Sequence, residues 1–115
     1  MKYLFVLNPV SGGFDKDSLL LKIENSFSDY RVYTTNGQAD NQLLAEEISK
    51  YQPSILVAIG GDGTILLCSE TIMRMAEKPL LGIIPAGSAN GMAEELHIPH
   101  DYDSAIDLIK KKRMQ

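Results

Sequence analysis

The chain has 115 residues, of which 44% are hydrophobic and 23% charged, and its formal net charge at pH 7 is −4. This length holds one modest domain with a single core, and the composition argues against intrinsic disorder. The acidic net charge argues against nucleic-acid binding. No apolar run approaches the roughly 20 residues that span a bilayer, and the lone Cys68 excludes an intrachain disulfide. A cytoplasmic location is therefore the default expectation.

Four short segments have the composition of strands. Continuous apolar runs, as at the first, third and fourth of these segments, are typical of strands buried on both faces of a parallel sheet. The second segment is predicted from its alternation and its β-forming residues. In chain order, the predicted strands cover residues 3–7, 30–34, 55–59 and 80–84.

Helical spacing of apolar residues separates these strands. Asp15 or Asp17 is expected to begin the first helix and Asp40 to cap the second, whose core stripe is Leu43, Leu44 and Ile48. The predicted helices end near residues 27, 51, 76 and 96, and the last begins at 101 or 103. The order β-α-β-α-β-α-β-α-α predicts an α/β fold, a three-layer doubly wound and mostly parallel sheet.

The segment Gly60-Gly61-Asp62-Gly63-Thr64 follows the third strand and precedes a helix. Glycine permits a tight turn and lets a ligand approach the main chain closely. A helix N-terminus then offers backbone N–H groups and a positive dipole end to an anion. The spacing therefore predicts a phosphate site, although it is neither a Walker A motif nor the dinucleotide fingerprint.

Asp62 needs a separate explanation, because a carboxylate repels phosphate. It fits a site in which Mg²⁺ lies between the two groups, or one in which the carboxylate accepts a proton from a substrate hydroxyl. The alternative is that Asp62 only caps a helix that begins near Thr64. The residues alone leave both interpretations open.

Two further loops of small residues follow strands. They are Asn8-Pro9-Val10-Ser11-Gly12-Gly13 after the first strand and Pro85-Ala86-Gly87-Ser88-Ala89-Asn90 after the fourth. In open α/β sheets the ligand crevice lies outside the carboxyl ends of the strands. We therefore expect all three loops to meet at one edge of the sheet.

The three motifs in this order resemble the catalytic domain of the diacylglycerol kinase and sphingosine kinase superfamily, and the resemblance covers nearly the whole chain. The Gly-Gly-Asp-Gly-Thr motif is shared with NAD kinases, but the first and third motifs favour the lipid kinases. The resemblance implies ATP-dependent phosphorylation of a lipid hydroxyl, with Mg²⁺. This sequence departs from the family pattern at Gly91, where family members usually carry an aspartate.

The same resemblance implies a role for each matched residue. Asp62 would serve as the catalytic and metal-binding carboxylate. The nucleotide would be held by Asn8, Ser11, Gly12, Gly60, Gly61, Gly63, Thr64, Gly87, Ser88 and Asn90.

Family members carry a second, all-β domain after this one. We therefore expect residues 1–115 to form a single nucleotide-binding half, inactive without that domain, which would contact the lipid and bring the enzyme transiently to a membrane surface. The oligomeric state is open. A homodimer would cover the apolar face that the absence of the second domain leaves exposed. Two alternative functions are a non-catalytic nucleotide-binding or regulatory module and an NAD kinase-like enzyme.

Overall fold

Four parallel strands form one sheet in the part of the chain that the computed structural model describes, residues 1–9, 15–85 and 102–112. β1 and β3 are buried at every position and β4 over its last four, as their apolar runs predict. The spatial order is β2-β1-β3-β4. The strands are β1 (Tyr3–Leu7), β2 (Tyr30–Thr34), β3 (Ile55–Gly60) and β4 (Leu80–Pro85).

Within the described residues, four helices cover the two faces of this sheet. They are α1 (Lys16–Ser26), α2 (Asp40–Tyr51), α3 (Asp62–Met73) and α4 (Tyr102–Lys112). Buried residues of α1 and α4 pack on one face, and those of α2 and α3 pack on the other. The predicted three-layer, doubly wound α/β fold is thus confirmed. Within the described ranges, no helix has the length and apolarity to cross a membrane.

The two halves of the core follow from the alternation of side chains along the strands. Tyr3, Phe5 and Leu7 point to the α1/α4 face, whereas Leu4 and Val6 point to the α2/α3 face. Because both sets are apolar, β1 supplies a continuous apolar run rather than an alternating one. This is why the run at the chain's start could be recognised as a central strand.

Helix α1 begins where its sequence predicts. Asp15 is the N-cap residue, and its carboxylate Oδ1 accepts a hydrogen bond from the Ser18 N–H at 3.2 Å. Leu19, Ile23 and Phe27 are buried on the sheet. The cap and the apolar stripe together fix the direction in which α1 returns across the sheet.

Two predictions for α2 are wrong. Asp40 is the first helical residue and does not cap the helix, because the N-cap position is occupied by Ala39 in the left-handed conformation. Leu43 is 37% exposed rather than in the core. Leu44, Ile48 and Tyr51, at spacings of four and three residues, already fill the face of α2 that lies on the sheet.

Ala39 has φ 55° and ψ 27°, a backbone conformation that disfavours a Cβ atom. Replacing Ala39 with glycine should therefore raise the free energy of unfolding by about 0.5–1 kcal/mol, the relief of strain exceeding the entropic cost of glycine. Urea unfolding followed by circular dichroism measures this change. The matched control is Ala45→Gly within α2, where the same substitution should instead destabilise by about 0.5–1 kcal/mol. Equal signs for the two variants would contradict the prediction.

Helix α3 differs from its predicted bounds at both ends. It begins at Asp62 with Gly61 as its N-cap, two residues before the predicted start, and it ends at Met73. The ammonium of Lys78 donates to the carbonyls of Met73 at 3.1 Å and Met75 at 2.6 Å, so the chain folds back over the helix end. Cys68 is buried as expected, and this burial raises the pKa of its thiol to about 12.

Candidate functional site

The sheet topology places a crevice between β1 and β3. From β1 the chain passes to β2 on one side and later to β3 on the other, so this pair forms the topological switch point. Asn8 and Pro9 follow β1 at the carboxyl edge, level with the end of β3, because Leu7 is in register with Ile59. Ligands of open α/β sheets bind at such points.

The glycine turn begins at this edge. Gly60 has φ 148°, a backbone conformation that L side chains rarely adopt, and it turns the chain from β3 into α3. The carbonyl of Gly61 accepts hydrogen bonds from the N–H groups of Thr64 and Ile65, both at 3.2 Å. Asp62 therefore occupies the first helical position, not the capping position that a simple structural role required. By its position, the Gly63 N–H lies outside the helix's own hydrogen-bond ladder.

A cavity of about 430 Å³ opens beside this turn. Gly63, Thr64 and Leu67 of α3 line it, and a Cβ atom built on Gly63 would meet no atom of the described residues within 4 Å. Asn8 and Pro9 supply its floor at the end of β1. The cavity thus combines a helix N-terminus with open space at a glycine, the two features that close approach of a phosphate requires.

The structure brings together those predicted site residues that it describes. Asn8, Gly63 and Thr64 line the cavity, and the turn formed by Gly60–Asp62 adjoins it. Gly60 is in register with Pro85, so the third motif starts beside the glycine turn. The remaining predicted residues, Ser11, Gly12, Gly87, Ser88 and Asn90, lie outside the described residues, as does the helix predicted to end near 96.

The loop after β2 also contributes to the cavity, which the sequence prediction did not anticipate. The lining of the cavity includes Thr35, Asn36, Gly37 and Asp40 beside the residues of α3. The Thr35 N–H donates to the Leu7 carbonyl at 2.9 Å, which fixes the start of this loop beside β1. A polar loop after a predicted parallel strand indicates the edge that the loop reaches, but its place beside β1 follows from the sheet order.

Asp40 holds this loop through its carboxylate. It accepts hydrogen bonds from the Tyr33 hydroxyl at 2.8 Å and from the N–H groups of Asn36 and Gly37 at 3.1 and 2.9 Å. Burial alone would raise the pKa of Asp40, but these three hydrogen bonds outweigh burial and lower the pKa from its ordinary value of 3.8. The carboxylate therefore stays ionised and keeps its acceptor role at neutral pH.

Two tyrosines make stability depend on alkaline pH. Burial and hydrogen bonds to carboxylates raise the pKa of Tyr33, beside Asp40, and of Tyr51, beside Asp29, to about 12. In the unfolded chain both would ionise near pH 10, so unfolding releases protons above that pH. We expect the stabilising contribution to be complete below pH 10 and to be lost as the pH rises towards 12.

Urea unfolding at several pH values tests this expectation. The double variant Tyr33→Phe/Tyr51→Phe should flatten the decline in the free energy of unfolding between pH 10 and pH 12. Tyr30→Phe is the matched control, since the Tyr30 ring packs edge-on against Phe5. An unchanged slope in the double variant would contradict the assignment.

A larger cavity, about 610 Å³, lies at the opposite edge of the sheet. Pro53 and Ser54 precede β3 and Pro79 precedes β4, so their presence in its lining places it at the amino ends of the strands. The end of α2 and residues 74–78, the segment that follows α3, form the rest of its wall. We assign the functional site to the smaller cavity, because helix C-termini present carbonyl groups, which are unfavourable for phosphate.

Among the described residues, no group of three or more histidine, cysteine, aspartate or glutamate side chains could hold a metal ion. Mg²⁺ in phosphoryl-transfer sites is commonly bound through one or two carboxylates, the substrate phosphates and water. Asp62, exposed in the first turn of α3, could supply one such carboxylate. The residues present therefore fit a magnesium ion that arrives with a nucleotide, and not a preformed cage.

The fold and the glycine turn define an α/β domain with a crevice at its switch point, beside the N-terminus of α3. A sequence model described as the diacylglycerol kinase catalytic domain matches residues 2–115. The chain belongs to this family. It is 35% identical to a diacylglycerol kinase from Staphylococcus haemolyticus over 108 residues, and 36% identical to one from Staphylococcus aureus over 111 residues.

Solved structures show the same relationship. A diacylglycerol kinase from Bacillus anthracis aligns over 96% of the chain with a TM-score of 0.79 and 29% sequence identity. A second structure, titled a putative diacylglycerol kinase from the same organism, gives a TM-score of 0.80. The chain covers 42% of each of these structures. It spans about a third of the curated relatives, 33% and 34% of their lengths, while those alignments include 90% of the chain itself.

Proposed function

We propose that this chain is the N-terminal ATP-binding part of a lipid kinase, which transfers the γ-phosphate of ATP to a hydroxyl of a diacylglycerol-like or sphingosine-like lipid. The observation that carries the proposal is the glycine turn of β3 and α3 beside the cavity at the switch point. Membership of the diacylglycerol kinase family supports the lipid acceptor over the dinucleotide acceptor of an NAD kinase. The relatives' greater length supports a second domain that provides the lipid side of the cleft.

In this proposal the α3 N-terminus holds the ATP phosphates. The dipole of α3 favours negative charge at Asp62–Thr64, and the open space at Gly63 lets a phosphate reach the backbone. Asn8 lines the same cavity at the end of β1, where it could bind a polar group of the nucleotide. These groups orient the phosphates and stabilise charge, which is most of what phosphoryl transfer requires.

The transfer itself forms one bond and breaks another. The lipid hydroxyl oxygen bonds to the γ-phosphorus while the bond between that phosphorus and the β,γ-bridging oxygen breaks, which leaves ADP. The hydroxyl proton passes to a base. Asp62 would act either as that base or as a ligand of Mg²⁺, whose charge would neutralise the phosphate oxygens. Both roles require its carboxylate to be ionised.

Calorimetric titration of the chain with ATP, with and without Mg²⁺, tests the nucleotide site. We expect metal-dependent binding that Asp62→Asn weakens about tenfold or more, because a carboxylate ligand is lost. Glu24→Gln is the matched control, an exposed acidic residue in the last turns of α1 and remote from the carboxyl edge. Binding that is tight but indifferent to both Mg²⁺ and Asp62 would instead favour the regulatory module.

The transfer step needs a protein of the relatives' full length. We suggest replacing the matching segment of the Staphylococcus aureus diacylglycerol kinase with this chain and measuring transfer of labelled phosphate to dioctanoylglycerol and to sphingosine. An active chimera that loses turnover with Asp62→Asn would support the proposal and identify the acceptor class. A folded, ATP-binding chimera that phosphorylates neither lipid would contradict it.

A further inference from the structure

The amino edge of the sheet, where the four strands begin and the helices end, carries most of the positive charge of the described residues. Backbone hydrogen bonds join the strand starts along this edge. The Tyr3 N–H, for example, donates to the Asp29 carbonyl at 3.1 Å. Apart from Lys16 and Lys22 on α1, every described lysine and arginine lies at this edge. The protein as a whole is acidic, so its positive charge is concentrated on the side opposite the crevice.

Aromatic rings hold several of these cations in place. The Lys2 ammonium and the Arg31 guanidinium lie 5.3 and 4.8 Å from the centroid of the Tyr51 ring at the end of α2. The Lys110 ammonium lies 5.5 Å from the centroid of the Phe27 ring, which follows α1. A ring fixes the position of a cation without neutralising its charge. Lys2 and Arg31 belong to strand starts, so the helix dipole does not account for their presence.

The cavity of about 610 Å³ opens within this basic edge. Its apolar lining includes the side chains of Ile48, Pro53, Met75 and Pro79. Arg74 lines the same cavity and is exposed, and its guanidinium has no hydrogen-bond or ion-pair partner among the described residues. An apolar space therefore lies next to a cation whose hydrogen-bond donors are available to a ligand.

The end of α3 does not exclude an anionic group from this cavity. The Lys78 ammonium donates to the carbonyls of Met73 and Met75, so it balances the negative end of the helix dipole. Glu77 also lines the cavity. A carboxylate that enters would thus meet two cationic side chains, Arg74 and Lys78, and one anionic side chain.

We propose that the amino-edge cavity and the cations around it bind an acidic segment of another protein. The segment places a large apolar side chain in the cavity and a carboxylate against Arg74, since a guanidinium binds a carboxylate through two parallel hydrogen bonds. A nucleic acid fits less well, because its phosphates have no use for the apolar lining and the net charge of the chain is −4.

A bilayer surface would also attract cations, but its position would conflict with the crevice. Strands of five or six residues separate the two edges of the sheet by about 17–20 Å, at roughly 3.3 Å per residue. A lipid acceptor has to reach the crevice at the carboxyl edge. A bilayer bound at the amino edge would leave that crevice facing away from the lipid. This step alone rests on the proposed function.

Fluorescence anisotropy with two fluorescein-labelled oligoglutamate peptides tests the proposal. One peptide has phenylalanine at its centre and the other has serine. We expect the phenylalanine peptide to bind about tenfold more tightly, because the cavity buries its ring. Arg74→Gln should weaken this binding about tenfold through loss of the charge-assisted hydrogen bonds. The Arg74 side chain is exposed and has no polar partner among the described residues, so the variant should fold.

Two further variants make the test specific. Glu77→Gln should tighten binding of the phenylalanine peptide, by a smaller factor, because it removes a like charge from the cavity. Lys22→Gln is the matched control, since it removes one positive charge from α1, where Lys22 pairs with Asp103 at 3.0 Å. It should alter the affinity by less than about twofold. Circular dichroism of each variant confirms that the domain is folded.

The outcomes are distinguishable. Equal affinity for the two peptides, or equal losses in Arg74→Gln and Lys22→Gln, would mean diffuse attraction of charge and would overturn the inference. Displacement of the phenylalanine peptide by phosphatidylglycerol vesicles would assign the edge to a lipid surface and overturn it as well. ATP titration of the same samples tests the proposed function separately. A chain that binds ATP and neither peptide loses only this inference, and one that binds the phenylalanine peptide but no ATP loses only the proposed function.

Discussion

Replacing Phe5 with alanine should lower the free energy of unfolding by about 3–5 kcal/mol, the usual cost of truncating a fully buried aromatic side chain. Phe5 lies in the middle of β1 and has no exposed surface. Its ring packs edge-on against Phe27 at 5.1 Å and against Tyr30 at 6.1 Å between centroids. It therefore connects the end of α1 to two strands, and its removal leaves a cavity that three elements must line.

The loss is large relative to the total, since a domain of this size is typically stable by about 5–15 kcal/mol. Urea unfolding followed by circular dichroism measures the change. Leu21→Ala is the control, because Leu21 is 57% exposed on α1 and its truncation should change stability by no more than about 0.5 kcal/mol. A loss below about 1.5 kcal/mol for Phe5→Ala would show that the sheet closes over the vacated space.

The second large effect is expected at the glycine turn, where two identical substitutions should act in opposite ways. Gly60→Ala places a Cβ at φ 148° and should destabilise the domain by roughly 1–3 kcal/mol. Gly63→Ala lies within α3, where its methyl group meets no atom within 4 Å in the part of the chain that the structure describes, and it should raise stability by up to about 1 kcal/mol. The backbone conformation requires glycine at position 60 but not at position 63.

For Gly63→Ala, we expect ATP affinity to fall although the stability of the domain rises. A methyl group at Gly63 projects into the space that the proposed function gives to a phosphate, so ATP affinity should fall about tenfold or more in a protein that is no less stable. Thermal unfolding with and without ATP and Mg²⁺ measures both quantities in one experiment. Normal ATP binding by Gly63→Ala would indicate that no phosphate approaches this turn.

The sequence was informative wherever one physical cause dominated. The strands of β1, β3 and β4 could be predicted to within one residue because double burial demands unbroken apolar runs. The cap of α1 could be predicted because Asp15 precedes a clear apolar stripe. The glycine turn could be placed between a strand and a helix because an apolar run precedes the glycines and helical spacing of apolar residues follows them. In each case a local pattern and the tertiary structure required the same residues.

The errors arose where backbone geometry or tertiary position decided the outcome. Alanine has a high helix propensity, yet Ala39 adopts the left-handed conformation at the end of the loop. The Asp40 carboxylate therefore accepts hydrogen bonds from residues that precede it instead of capping α2. The contribution of residues 35–37 to the cavity was missed because sheet order brings β2 beside β1, and no local pattern encodes that order. Family resemblance supplied the expected roles of single residues, which local patterns leave open.

The unreactive character of Cys68 has a practical consequence for following the site in solution. The chain has one cysteine, and burial raises its pKa to about 12, so almost none of it is thiolate at neutral pH. A cysteine introduced at an exposed position such as Gln38 would then be the one thiol that a maleimide dye modifies in the folded protein. A dye at that position lies in the Asp40 loop and would report, through its emission, whether this loop moves when a nucleotide enters the cavity.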